Sequence, residues 1–245
     1  MLEGMMAAAS GMEAQQQQLD AIGNDIANVS TTGYKAERVG FRDLLYNHLE
    51  IAGTVAPVGT GAAAQSIGRD QAQGAIQDTG DPLDLAIEGE GYFTVKQPGG
   101  SVALTRDGSF QVNSQGQLTT AEGALLDPPI ALPKGASPSE VGIAADGTVT
   151  VKGQTIGKIA LVSVQAPDKL LAAGGNLFTP TTASGATRPT AAATIHQEAL
   201  EGSNVDVATD MTQMMSAQRA YQMESSAIQT ENQMMSIANQ LVSGS

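Results

Sequence analysis

The stretch "VDVATDMTQMMSAQRAYQMESSAIQTENQMMSIANQLV", Val205–Val242, decides how the rest of the chain is read. Val207, Met214, Tyr221, Ile228, Met235 and Val242 recur every seven residues, with Ala220, Ala227, Met234 and Leu241 beside them. This pattern predicts a helix over about 205–242, on the order of 55 Å long at ~1.5 Å per residue. A sustained period of seven marks a coiled-coil seam rather than the broad stripe of a globular helix. The companion positions Gln218, Ser225, Asn232 and Asn239 are polar, so the seam is narrow. Ser203 or Asn204 is the expected N-cap, and Asp206 and Asp210 lie near the positive end of the helix dipole.

A second helix is predicted at the other end, over about 2–28. Leu2, Met5, Ala9, Met12, Leu19, Ile22, Ile26 and Val29 recur at helical spacings. Gly4, Gly11 and Gly23 each cost about 1 kcal/mol against Ala in a helix interior, so this helix needs a partner. Leaving about ten apolar side chains of the two helices in water would forfeit about 15–30 kcal/mol. The helices are therefore expected to pack on each other or on copies of themselves. The residues expected to carry that packing are Leu19, Ile22, Ile26, Met214, Tyr221, Ile228, Met235 and Leu241. After the first helix comes "NVSTTGY", Asn28–Tyr34. Its Ser and Thr compete for backbone hydrogen bonds, and Gly33 is free to take a positive φ. Asn28, Thr32 and Gly33 are expected to shape the turn.

The middle is written differently. Short β-branched runs are broken at Pro98-Gly99-Gly100, Asp107-Gly108, Gln115-Gly116, Glu122-Gly123, Asp146-Gly147 and Lys152-Gly153. Turn signals about every ten residues predict an antiparallel sheet domain. Asp107-Gly108 and Asp146-Gly147 are read as hairpin turns. The fold class is thus α+β: N- and C-terminal helices form a coiled-coil-like axial layer, and a mostly antiparallel β domain lies between them. The expected divisions are 1–33 (helix and turn), 34–82 (extended connector), 83–190 (β domain) and 191–245 (connector and helix).

Composition removes several kinds of chemistry. The chain has 245 residues and no Cys, which excludes disulfides and thiolate chemistry. Its 12 basic and 25 acidic residues give a net charge of −13, unsuited to nucleic acid. Between Leu83 and Pro189 lie 7 basic and 9 acidic residues, so the two ends carry a net −11. No run of about 18 apolar residues exists to span a bilayer. The N-terminal stretch lacks the basic and apolar regions of a cleavable signal peptide, so any export is expected to leave the N-terminus intact. His48 and His196 lie far apart without a ligand pattern. Asp81 with Asp84, and Glu88 with Glu90, read as turn and strand residues. No catalytic residue, cofactor site or metal site is expected. Arg219 is the single basic residue of the C-terminal helix. It is expected to pair with an acid from a neighbouring copy, Asp20 or Asp25.

Four stretches carry a family resemblance. "GNDIANVSTTGYKAERVGFRDLLY" resembles the N-terminal signature of the bacterial flagellar rod and hook proteins. "GDPLDLAIEGEGYFTV" and "LTRDGSFQVNSQGQLTTAEG" are similar to the family's central β region. "LEGSNVDVATDMTQMMSAQRAYQMESSAIQTENQMMSIANQL" resembles its C-terminal helix. Within the family, "FRDLLY", "VGTGAAAQSIGRDQAQGAIQDTGDPLDLAI" and "NLFTPTTASG" are most similar to distal-rod members. The resemblance implies a non-enzymatic structural subunit of the flagellar basal body, polymerising into a helical tube that carries torque from motor to hook. It also implies neighbouring rod and hook proteins as partners, ring proteins around the rod, and delivery by the flagellar type III export apparatus to the cell envelope, where the rod spans the periplasm. Two alternatives stay open: a proximal rod paralogue, and a secreted carbohydrate-binding β module with oligomerising helices. The second requires an exposed aromatic platform, for which the β part offers only Tyr92, Phe93, Phe110 and Phe178.

Overall fold

The computed structural model describes residues 2–44, 46–51, 54–59, 61–133, 135–190 and 192–243. The side chains of His48 and of the seam residue Val242 lie outside the described residues. Contacts divide the chain into two units. The first holds residues 1–27, 37–67 and 206–245; the second holds 28–36 and 68–205.

The first unit is built on two helices, α1 (Leu2–Ala27) and α2 (Val207–Ser243). α1 is rich in Ala, Gln, Leu and Met, all good helix formers. It stops where the Asn28 carbonyl accepts the Thr31 N–H at 3.0 Å and the Asn28 side chain accepts the Thr31 hydroxyl at 3.1 Å. The N-cap of α2 is Asp206, not Ser203 or Asn204. Its carboxylate accepts the Ala208 N–H at 3.1 Å and the Thr209 hydroxyl at 2.8 Å. Those bonds, the Thr209 hydroxyl foremost, pull its pKa below the ordinary 3.8. Asn204 is employed elsewhere, as described below.

The segment anticipated as a connector is extended but paired. β1 (Glu37–Asp43), β2 (Tyr46–Ile51), β3 (Thr54–Gly59) and β4 (Ala62–Arg69) fold back on themselves. β1 pairs with β4, and β2 with β3 in antiparallel register from Tyr46 opposite Gly59 to Ile51 opposite Thr54. The ribbon touches α1, where Ala7 and Ser10 lie against Gly61 and leave no room for a side chain there.

The second unit is the β domain. Its main sheet runs in the order Leu171–Gly174, Leu177–Thr179, Val102–Thr105, Tyr92–Lys96, Leu125–Leu126, Leu118–Thr119 and Gln111–Val112. Leu161–Ser163 also pairs with Tyr92–Lys96. A three-stranded sheet, Val141–Ile143, Thr148–Val151 and Gln154–Lys158, packs into the same core. Thr148–Val151 alternates half-buried Thr with buried Val, the period of a strand with one face inward. Phe93 and Phe110 meet edge to face at 5.2 Å between centroids in the middle of the core.

Asp146-Gly147 is the hairpin turn expected of it, with Gly147 at φ 85°. Asp107-Gly108 is not a hairpin. Its flanking strands pair with other partners, and Gly108 passes flush against the backbone of Leu85, whose N–H donates to the Gly108 carbonyl at 3.1 Å. A side chain would block that crossing, so glycine is required here for space and not for a turn.

Candidate assembly surface

α1 and α2 pack antiparallel, in a register set by residue types spaced seven apart. Gly4 faces Glu231 and Gly11 faces Glu224: a methyl on either glycine would meet the opposing carboxylate at 2.6 and 2.5 Å. Each step of seven along α1 is thus answered by a step of seven back along α2. The two glycines, unfavourable for an isolated helix, make room for acids in the seam. Met214, Ile228 and Met235 are half-buried on this face and Ala217 is buried, so the apolar line of sevens does face α1. Its companion line is Asp210, Ala217, Glu224 and Glu231, which is mostly acidic. Burial pushes the Glu224 carboxyl above its ordinary 4.5. Burial, followed by the charges of Asp25 and Asp206, pushes Asp210 above its ordinary 3.8.

The opposite face of α2 is different. Met211, Met215 and Met223 are exposed, Met223 at 68%. Together with the exposed Arg219 they form one row spaced by four residues, a continuous ridge on the helix. Further along, Ile237 is exposed and Leu241 is 72% exposed. The hydroxyls of Thr212, Ser226 and Thr230 donate to carbonyls four residues back, at 2.9 Å each. These three hydroxyls are thereby satisfied within the helix, and the ridge itself presents only thioethers and one guanidinium.

The anticipated packing residues divide between these faces. Ile22 is buried, and Leu19, Ile26, Met214, Ile228 and Met235 are half-buried. Tyr221 belongs to the α1-facing line but stays 37% exposed at its edge, and Leu241 projects outward from the opposite face. Asp20 is exposed and accepts from the Gln16 amide at 2.8 Å. Asp25 is buried, and its carboxylate accepts the Glu37 N–H at 3.0 and 3.1 Å. That engagement makes Asp25 the poorer counter-ion for an arginine from outside.

The three turn residues have separate tasks. Asn28 ends α1. The Thr32 carbonyl accepts from the Asn176 amide at 2.8 Å. Gly33 has φ 66° and donates its N–H to the Glu201 carbonyl at 2.7 Å. A methyl on Gly33 would lie 2.6 Å from the Asp107 nitrogen and 2.7 Å from the Arg106 carbonyl carbon.

Beside that turn the β unit holds a buried ionic knot that pattern reading did not find. Glu201 receives the Lys35 ammonium at 2.6 Å on one carboxylate oxygen and the Arg106 guanidinium at 3.0 Å on the other. The Lys35 and Glu201 side chains are fully buried. The Gly74 N–H also donates to Glu201, at 3.0 Å, and the Ala72 carbonyl accepts from Lys35 at 2.7 Å. Burial pulls the Lys35 pKa below its ordinary 10.5, against the opposing pull of Glu201. Next to the knot, Asn204 accepts the Ala36 N–H at 2.8 Å and donates to the carbonyls of Asp70 and Ala72. The segments joined here are the one that follows α1 in the chain and the one that precedes α2. The available signal was in "TTGYK" and "LEGSN", which place Lys35 and Glu201 beside the two helix ends.

Four of the remaining chemical candidates, Asp81, Asp84, Glu88 and His196, have structural employment. His196 pairs with Glu88 at 2.6 Å on the surface. Asp84 accepts from the Thr79 hydroxyl at 2.7 Å. Tyr92, Phe93, Phe110 and Phe178 are all buried, so among the described residues the β domain shows no aromatic platform for a sugar.

The chain matches three family descriptions in order along its length. Residues 5–35 match "Flagella basal body rod protein", residues 86–151 match "Flagellar hook protein FlgE/F/G D1 domain", and residues 196–241 match "Flagellar basal body rod FlgEFG protein C-terminal". It is 40% identical to the flagellar basal-body rod protein FlgG of Caulobacter vibrioides, over 98% of this chain and 99% of that one. It is 38% identical to FlgG of Borreliella burgdorferi over the same shares. With the rod protein FlgF of Mesorhizobium japonicum it shares 30% identity over 91% of this chain and 90% of that one.

Proposed function

The chain belongs to the flagellar basal-body rod and hook family, and from that premise we propose that it is a distal-type rod subunit whose terminal helices are completed by neighbouring copies. It is a structural protein of the basal body and not an enzyme. The distal assignment is supported by the higher identity to FlgG proteins than to the FlgF protein.

The observation that carries the proposal is the outer face of α2. α1 covers one side of that helix only, and Met211, Met215, Met223, Ile237 and Leu241 remain exposed. Exposed apolar patches of this kind mark interaction sites. Copies stacking through such faces build a helical tube in which many weak contacts share torque between motor and hook. Leu19, Ile22, Ile26, Met214, Ile228 and Met235 hold α1 to α2, while Tyr221 and Leu241 serve contacts between copies. The other partners in this reading are adjacent rod and hook proteins, ring proteins around the rod, and the type III export apparatus, which delivers the chain to the periplasmic section of the basal body.

Immunogold labelling of isolated basal bodies with antibody against this chain tests the reading. Gold on the rod segment next to the hook is expected. Gold on the motor-proximal segment would replace the distal assignment with the proximal one, and gold confined to hook or filament would overturn the rod assignment.

A further inference from the structure

The first unit contains a groove whose chemistry matches the ridge on α2. It lies between α1 and the ribbon, has a volume of about 340 Å³, and is lined by Gln17, Asp20, Ala21, Asn24, Glu37 and Val39. Ala21 and Val39 give it apolar wall. Asp20 and Glu37 give it two carboxylates. Glu37 and Val39 are two apart on β1 and share one face of that strand; Arg38 is on the other face, so no cation of β1 competes inside the groove. The ridge Met211, Met215, Arg219, Met223 has the complementary composition, with thioethers on both sides of one guanidinium. It points away from α1, opposite the face that carries Ala217 and Glu224, so one molecule cannot bring its own ridge to its own groove without abandoning the helix pair. Among the described residues Arg219 has no ion-pair partner.

We propose that the Met211–Met215–Arg219–Met223 ridge of one copy seats in the groove between α1 and β1 of a second copy, with Arg219 between Asp20 and Glu37. This inference rests on the polymer reading above and names the contact that builds the polymer. The occupant is argued from charge and shape. α2 offers one cation in an acidic molecule, and the groove offers two carboxylates beside an apolar wall. Methionine, unbranched and polarisable, fills irregular surfaces of this kind. The guanidinium supplies direction, since its fork engages two acceptors at once. Asp25, buried on its own backbone partner, takes no part.

A charge-reversal cycle on the full-length chain tests the contact, read by the critical concentration for sedimentable polymer. Arg219→Glu is expected to raise that concentration by at least about tenfold, since like charges across an interface are strongly unfavourable. Arg219→Glu with Asp20→Arg is expected to restore it to within about threefold of wild type, as the reversed pair is again attractive. Wild-type polymerisation by Arg219→Glu, or no rescue in the double variant, overturns the contact. If the wild-type chain forms no polymer at any salt concentration, the polymer reading fails; if it polymerises and Arg219→Glu leaves that unchanged, only this contact fails, so the two failures are distinguishable. A second measurement covers loss of folding in the charge variants. The chain has no Cys, so Met223→Cys with Ala21→Cys introduces the only thiols. A short bis-maleimide is expected to give a ladder of covalent oligomers from polymerised protein, and a single monomer band overturns the proposal.

Discussion

Gly33 and Glu201 show how much one residue can carry here. Gly33 has φ 66° with backbone atoms on the side where a Cβ would be. Gly33→Ala is expected to cost at least about 2 kcal/mol, from the left-handed backbone penalty plus the overlap with Arg106 and Asp107. Urea unfolding should show this as a lower midpoint at unchanged slope, and an unchanged midpoint would remove the turn from the account. Glu201 neutralises two buried cations. Glu201→Gln keeps the shape but leaves the Lys35 and Arg106 charges uncompensated, and is expected to cost about 3–5 kcal/mol. A loss under about 1 kcal/mol, the range of surface pairs, would mean the knot is solvated. This knot was illegible in the sequence for a physical reason. Its members are 166 and 95 residues apart, and nothing in local periodicity reports a pairing across such distances. Gly33 was legible because a backbone requirement is local.

The helix pair is where sequence reading was half right. A period of seven on α2 correctly implied a seam, and the Met214–Ile228–Met235 line faces α1. The second line of the seam escaped notice because Glu224 and Glu231 look like surface residues until Gly11 and Gly4 are placed opposite them. The acids give the pair a pH response. Glu224 and Asp210 have pKa values raised above their ordinary 4.5 and 3.8. A carboxyl raised in this way binds more protons folded than unfolded. Its contribution to stability is fully present below the unfolded value and is lost as pH rises through the folded value. The melting temperature of the helices, followed by circular dichroism, is therefore expected to rise as pH falls from 7 toward 4.5. Below that range the lowered pKa of the Asp206 cap acts in the opposite sense. Glu224→Gln should raise the melting temperature at pH 7 and flatten its pH dependence. A melting temperature that falls between pH 7 and 5 would contradict the arrangement. The ribbon of β1–β4 was legible as extended chain. Its self-pairing was not, because the Ala-rich β4 weakly specifies a register with β1.

At the scale of the whole molecule, the order of helix, ribbon, β domain and helix was readable from periodicity and turn spacing. Strong local patterns survive in the fold. What could not be read was that α1 covers only one face of α2. The count of apolar residues on α2 implied a partner, and the structure divides that need in two: Met214, Ile228 and Met235 are met within the chain, while Met211, Met215, Met223, Ile237 and Leu241 are not. The net −11 of the chain ends opposes bringing copies together and is screened by salt, so association of the free chain is expected to strengthen as ionic strength rises. Light scattering at 20 and 300 mM salt, about 20 and 6 Å in Debye length, checks this, and weaker association at high salt would contradict it. The central claim is that α2 is complete only in the company of other copies. Amide hydrogen exchange over residues 236–243, compared between the free chain and the assembled rod, tests it most directly. The account predicts at least about tenfold slower exchange in the rod, because these turns gain their packing there. Equal and strong protection of the same amides in the free chain would contradict it.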